Sequence, residues 1–254
     1  MIRALVGILV WVINGLYKDR PYPRFYVLET VARVPYFAYM SVLHLYETLG
    51  WWRKADWLKV HFAESWNELH HLLIMESLGG NAVWSDRLIA KSAALVYYWI
   101  IVGVYLVSPR AAYNFMQQVE EHAYESYDQF LTEQADWLKG QPAPEIAQRY
   151  YRDGDLYLFD EFQTSQVPAS RRPAIDNLYD VFVAIRDDEM EHVKTMVACQ
   201  QPEMDRACLS PHDAIAPELV GNLAMETAVV LTQEASVEAT SQPMVEATGT
   251  GDRG

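Results

Sequence analysis

The chain is poor in cysteine. Its two thiols, Cys199 and Cys208, lie close together near the end of 254 residues, and no Cys-x-x-Cys pair occurs. A disulfide framework is thereby excluded, and the expectation is two free thiols in a reducing compartment. Positive charge is also scarce: 20 Lys and Arg stand against 34 Asp and Glu, a formal net charge of −14. A nucleic-acid binder needs a basic footprint, so that class is excluded. No His-Glu-x-x-His occurs, which leaves a zincin-type hydrolase unsupported. A cleavable leader is not expected either. Residues 1–14 carry one Arg and an apolar run, but no small-residue cleavage site follows. Residues 1–18 are instead expected to form a short interfacial helix ending before Pro21 and Pro23. No Arg- and Ser-rich transit peptide precedes the first motif, which suggests a prokaryotic or phage-carried copy, or a chain trimmed to its mature start.

What the chain does have is aromatic and helical. Its 16 Tyr and 8 Trp are many for this length, and such amphipathic rings suit a membrane interface. Helical periodicity runs over residues 24–52, with a kink expected at Pro35. It resumes over 55–79, closed by Gly79-Gly80 as a helix stop. Helices are also expected over 88–107, over 109–139 behind Pro109, and over 174–200. Residues 140–170 read as irregular, with Pro142, Pro144, Gly154 and Pro168 breaking short helical pieces. Past residue 200 the period fades, with one short helix expected within 214–233 and disorder from Glu234 on. From residue 203 to the end there are nine acids and two bases, so −7 of the −14 lies in this tail. The division expected is a domain over 1–200 and an acidic, low-complexity tail over 201–254.

Two short repeats organise the domain. Glu68 and His71 stand three apart in a helical run, and Glu189 and His192 repeat that spacing far downstream. Residues three apart share a helical face, so each pair is half of a metal site. Two Glu-x-x-His helices, plus one Glu from each of two further helices, make the ligand set of a di-iron carboxylate bundle. Glu120 is the inward candidate of the Glu120-Glu121 pair, because its face carries Tyr113, Met116, Tyr124, Tyr127 and Leu131. Glu121 shares its face with Asn114, Gln118, Glu125 and Asp128. Glu29 sits among Tyr22, Phe25, Tyr26, Tyr36 and Met40. Alone it reads equally well as a surface carboxylate paired with Arg33; the downstream pairs tip it towards ligand. Glu189 shares its face with Phe182, Ile185, Val193 and Met196, whereas Glu191 shares Asp187, Lys194 and Thr195, a solvated set. Asn67 and Asp188 fall beside the ligands, with Asp188 placed to accept from a ligand imidazole. Arg186 is placed to neutralise buried carboxylate charge, and Tyr127 lies two turns from Glu120 on the inner face.

Residues 88–107 are the most apolar stretch. A crossing there would put Glu29 and Glu68 on one side of a bilayer and Glu120 and Glu189 on the other. Without Lys91 the run is about 16 residues, roughly 24 Å, against a hydrocarbon core of about 30 Å. The expectation is a monotopic anchor lying in the interface, with Tyr97, Tyr98, Trp99 and Tyr105 near the headgroups. The competing reading is a buried bundle helix. The fold class expected is all-α: a ferritin-like di-iron four-helix bundle with added interfacial helices at 1–18 and 88–107. Storage proteins, hydroxylases, radical-generating subunits and oxidases share such a ligand set.

Four segments carry a more specific likeness: VLETVARVPYFAYMSVLHLYETLGWWR, ESWNELHHLLIMESLGGN, VEEHAYESYDQFL and RDDEMEHVKTM. Together they resemble the four ligand motifs of the alternative oxidase family, collinear over roughly residues 20–200. The His that follows the paired glutamates is similar to the plastid terminal oxidase branch. The resemblance implies a quinol oxidase that reduces O2 to water without pumping protons, bound as a homodimer to one leaflet. It implies two iron ions per chain on Glu29, Glu68, His71, Glu120, Glu189 and His192, the six already chosen by face. Tyr127 matches a tyrosine essential in the family, and Asn67 and Asp188 match supporting positions. Arg24, Leu28, Ala123 and Ser126 fall where the family's quinol pocket lies. Val119, His122 and Ser126 stand where the respiratory branch has Leu, Glu and Thr, a pattern that fits plastoquinol over ubiquinol. A thylakoid or cytoplasmic membrane of a photosynthetic prokaryote is the implied location. A ubiquinol-type oxidase, and behind it a di-iron hydroxylase or ferritin-like protein, are the alternatives.

Overall fold

The computed structural model describes residues 15–51, 55–152 and 172–201, together with Gly7 and Ile13. The expectations for residues 1–14 and for the tail beyond 201 lie largely or wholly outside them. Among the described residues these helices follow one another: α1 Pro21–Ala32, α2 Val34–Thr48, α3 Ala55–Ser77, α4 Trp84–Val107, α5 Pro109–Lys139, α6 Glu145–Arg152 and α7 Leu178–Cys199. No strand occurs among the described residues.

Their ends follow local chemistry. α1, α2 and α5 each begin with proline in the first turn, where the missing N–H has no helical partner to lose. The single pattern expected over 24–52 is in fact two helices with Arg33 between them. Pro35 lacks the donor that would continue the ladder, so the break falls just before it. α7 starts on a capping box, with Asn177 accepting from the Asp180 N–H and Asp180 accepting from the Asn177 N–H. α3 ends where the glycines stand: Gly79 has φ +82°, its N–H donates to Glu76 O, and the Gly80 N–H reaches Met75 O. This left-handed cap requires glycine. Gly80 is needed for a second reason, since a Cβ there would lie 2.7 Å from Tyr22 O and 2.8 Å from Tyr26 Cβ. The end of α3 is thereby seated directly on α1.

Four helices, α1, α3, α5 and α7, make the bundle, with α5 on α7, α1 on α3 and α5, and α3 on α7. Helices α2 and α4 pack on each other outside it, and α6 lies on α3. Two apolar clusters fill the interior. One holds Phe25, Tyr127, Phe130 and Phe182; the other holds Tyr36, Tyr39, Trp57, Tyr105, Tyr113 and Met196.

The outer helix corrects two expectations. α4 runs for 24 residues, about 36 Å at 1.5 Å per residue. It is long and apolar enough to cross a membrane, so shortness argues nothing. Most of it is exposed, including Leu88, Leu95, Val96, Trp99, Ile100 and Val107, so it is not a buried bundle helix. Tyr105, expected near headgroups, is fully buried against Tyr39 and Tyr113.

Candidate metal centre

Glu29 comes from α1, Glu68 and His71 from α3, Glu120 from α5, and Glu189 and His192 from α7. All six side chains are 0–2% exposed. Their donor atoms form two groups, each within 4.8 Å: Glu29, Glu68, His71 and Glu189, and then Glu68, Glu120, Glu189 and His192. Glu68 and Glu189 belong to both, so a pair of ions seated here would share them.

The distances define the arrangement further. His71 Nδ1 lies 3.2 Å from Glu189, 3.7 Å from Glu29 and 4.0 Å from Glu68. His192 Nδ1 lies 2.9 Å from Glu68, 3.5 Å from Glu189 and 3.7 Å from Glu120. Few of these approaches are directed hydrogen bonds. Both carboxylate oxygens of Glu68 and of Glu189, one each of Glu29 and Glu120, and His71 Nδ1 have no hydrogen-bond partner. Buried polar atoms are rarely left so, and so many lone pairs facing one another fit a divalent cation pair. Four carboxylates also match two divalent charges.

The electrostatics agree. Burial, with the charge of Glu189 beside them, holds Glu68 and Glu120 well above the usual carboxylate range. Burial pushes Glu189 the same way, but the facing His192 and His71 imidazoles outweigh it and bring its carboxyl down to about 2. For the two imidazoles burial favours the neutral form, yet the surrounding carboxylates win and raise both well above the ordinary value. Without a cation the site therefore keeps protons in its place.

A hydrogen-bonded layer backs the donors. Asp188 Oδ2 lies 3.3 Å from His71 Nε2 and accepts from Asn67 Nδ2 at 2.9 Å and from the Tyr151 hydroxyl at 3.0 Å. A carboxylate can only accept, so Nε2 carries the proton and Nδ1 faces the other donors. Asn67 also bonds Tyr150, whose ring stacks on His70 at 4.1 Å. Tyr127 donates to Glu29 and stacks on Phe25 at 4.3 Å. Burial, then the Glu29 charge, raises its phenol well above the ordinary value. Tyr36 donates to Glu120 at 2.6 Å.

Arg24 and Ser126 bond each other at 3.1 Å and line a cavity of about 690 Å³ with Tyr17, Tyr22, Phe130 and Trp137. His122 Nε2 lies 3.2 Å from Ser126 Oγ. Leu28, Val119, His122 and Ala123 are half-buried on α1 and α5 near these two but are not among the lining residues.

Some expectations change. Glu191 and Thr195 are buried, 3% and 1% exposed, and Lys194 bonds Glu191. Neighbouring helices cover that part of α7, so of its polar stripe only Asp187 and Lys194 reach solvent. Arg186 pairs with Asp128 and Asp187 rather than with the buried carboxylates. Glu121 is half-buried and accepts from Gln117. Glu29 is buried beside Tyr127, not paired at the surface with Arg33. Tyr150 and Tyr151 were not singled out from the sequence, because the short helical pieces expected in 140–170 carried no ligand pattern. Glu145 in the first turn and Arg149 and Arg152 in the last were the signal of α6.

A family model described as "Alternative oxidase" matches residues 2–201. The chain is 58% identical over 234 residues to "Ubiquinol oxidase 4, chloroplastic/chromoplastic" of Arabidopsis thaliana, covering 92% of this chain and 65% of that one. It is 31% identical over 183 residues to "Alternative oxidase 3, mitochondrial" of Glycine max, covering 71% and 50%. To "Alternative oxidase, mitochondrial" of Ajellomyces capsulatus it is 31% identical over 174 residues, covering 66% and 43%. The chain thus spans about half to two thirds of the length of the curated relatives it matches. With 200 consecutive residues matched and both Glu-x-x-His repeats inside them, the chain belongs to the alternative oxidase family.

Proposed function

We propose that this chain is a quinol oxidase that reduces O2 to water with electrons from plastoquinol, using an iron pair held by Glu29, Glu68, His71, Glu120, Glu189 and His192. The observation that carries the reading is the pair of buried donor groups sharing Glu68 and Glu189. Their oxygen-rich, thiolate-free chemistry suits iron better than zinc, which prefers fewer ligands and tetrahedral geometry. When bound, the iron pair supplies electron transfer to O2. Glu68 and Glu189 hold it from the two long ligand helices. Asp188 fixes the His71 tautomer. Tyr127 sits between the cavity side and Glu29, in contact with Phe25, and is the proposed electron carrier. Arg24 and Ser126 offer polar contacts to a quinol head group, with Tyr22 and Phe130 as its apolar walls. Leu28, Val119, His122 and Ala123 complete the proposed pocket. The choice of plastoquinol rests on the 58% identity to a chloroplast relative, against 31% to the mitochondrial ones.

The same reading attaches the protein to one leaflet of a photosynthetic membrane as a homodimer. The exposed apolar face of α4 supports the first part. Its inner side, with Ala90, Ile101 and Tyr105, is buried against the helices that carry the site, so a crossing would draw those carboxylates into hydrocarbon. Oxygen uptake with a plastoquinol analogue, resistant to cyanide, tests the function. Glu68→Ala or His192→Ala should abolish uptake and lower iron below the two per chain expected of the parent. Full uptake by either variant would end this assignment.

A further inference from the structure

A second buried polar chain leaves the metal centre on the side away from Tyr127. Tyr36, which donates to Glu120, has its ring 5.5 Å from that of His192. From Tyr36 the rings continue to Tyr39 at 6.2 Å, and from Tyr39 to Tyr113 at 4.9 Å. Tyr113 then ends on a triad. Its hydroxyl lies 2.9 Å from His61 Nε2, and His61 Nδ1 lies 2.8 Å from Glu64 Oε2. Tyr36, Tyr39, Tyr113, His61 and Glu64 are all 0% exposed. The hydrogen bonds fix the roles. Glu64 only accepts, so His61 Nδ1 carries the proton and Nε2 accepts from the Tyr113 O–H. The Tyr105 hydroxyl, 2.7 Å away, then donates to the Tyr113 oxygen.

Packing alone does not call for this arrangement. Phenylalanine at 113 and an aliphatic residue at 61 would fill the same core without burying a His–Glu pair, and such pairs seldom repay their desolvation. A phenol aimed at a neutral imidazole backed by a carboxylate has a specific chemical use. Losing an electron makes a phenol strongly acidic, and the proton must go at once to a base within hydrogen-bond reach. In a core shut off from bulk solvent a built-in base within reach is the direct acceptor.

We propose that Tyr113 is a second redox-active tyrosine, and that His61 and Glu64 are the positioning residues that make its oxidation reversible. The inference rests on the oxidase reading above. The oxidant is the iron centre after it has reacted with O2 while short of quinol. One electron passes from Tyr113 through Tyr39 and Tyr36 to the centre, which is reduced by one. The phenolic proton moves to His61 Nε2, leaving a neutral tyrosyl radical and an imidazolium facing Glu64. Back-transfer of the proton and one electron restores the phenol. Tyr113 would thus hold an oxidising equivalent that one quinol too few leaves behind.

The test uses the full-length, iron-loaded protein, reduced chemically, mixed with excess O2 without quinol, frozen, and read by electron paramagnetic resonance. A tyrosyl radical carrying a nitrogen coupling is expected, altered by 15N-histidine labelling. Tyr127 and Tyr36 are bonded to carboxylates, not imidazoles, so neither gives that coupling. The signal should vanish in Tyr113→Phe, and His61→Gln should lose the nitrogen coupling and shorten the radical's life. If a variant does not fold, the labelled native protein still decides. No radical, one without histidine nitrogen, or one unchanged in Tyr113→Phe overturns the inference. In protein that binds two irons and consumes O2 with quinol, such an outcome leaves the oxidase reading standing; absent iron or absent uptake counts against that reading itself.

Discussion

Single residues in this site are set by what surrounds them. Tyr127 touches Glu29 on one side and stacks on Phe25 on the other. Tyr127→Phe should keep two irons per chain while turnover falls roughly 100-fold, the scale of losing one positioned proton-transfer group. Unchanged turnover would remove Tyr127 from the mechanism. A pH prediction follows from the donors. In metal-free protein Glu68, Glu120, His71 and His192 all titrate above their ordinary values. Groups raised on folding stabilise most below their unfolded pKa, about 4.3 for Glu and 6.5 for His, and that contribution is lost as pH rises through the folded values. Glu189, lowered to about 2, acts oppositely, but only below about pH 4.3. Chelator-treated protein should therefore melt at lower temperature as pH goes from 5 to 9. Iron loading displaces those protons and should flatten the slope. Parallel slopes with and without iron would contradict the proton-holding account.

At the scale of elements, the sequence showed which faces point inward more reliably than where helices begin and end. The two Glu-x-x-His spacings and the aromatic face of Glu120 survive any small error in helix limits, because they depend only on 3.6-residue periodicity. The break at Arg33, the start of α4 at Trp84 and the limits of α6 were not read, because ends depend on caps and tertiary contacts. Burial of Glu191 was not legible either; it follows from how completely α5 and its neighbours cover α7. Gly80 shows an end set by packing. Gly80→Ala must push the end of α3 off the Tyr22 carbonyl and the Tyr26 Cβ, an overpacking cost of about 1–3 kcal/mol. Thermal melting should shift down by several degrees; an unchanged transition would mean the two helices part without cost.

At the scale of the whole molecule, the exposed large apolar side chains of the described residues gather on α4. Leu95, Val96, Trp99 and Ile100 form one exposed patch on α4, and patches of that kind mark a contact surface. Replacing Leu95 and Trp99 by Glu should abolish flotation with vesicles of plastid-like lipids while iron content stays at the parent level. Retained flotation would move the lipid contact elsewhere. Quinone identity, by contrast, was legible only through likeness to relatives, since Arg24 and Ser126 would serve many head groups.

The junction between α4 and α5 is one residue, Ser108. The segment proposed to meet lipid is thus spliced almost directly to the one bearing Glu120 and Tyr127, and its inner side walls in Tyr39 and Tyr113. Anyone seeking a detergent-free version should leave that segment in place and repaint its outer surface with polar side chains. Cutting it out would unroof the aromatic interior along with the greasy exterior.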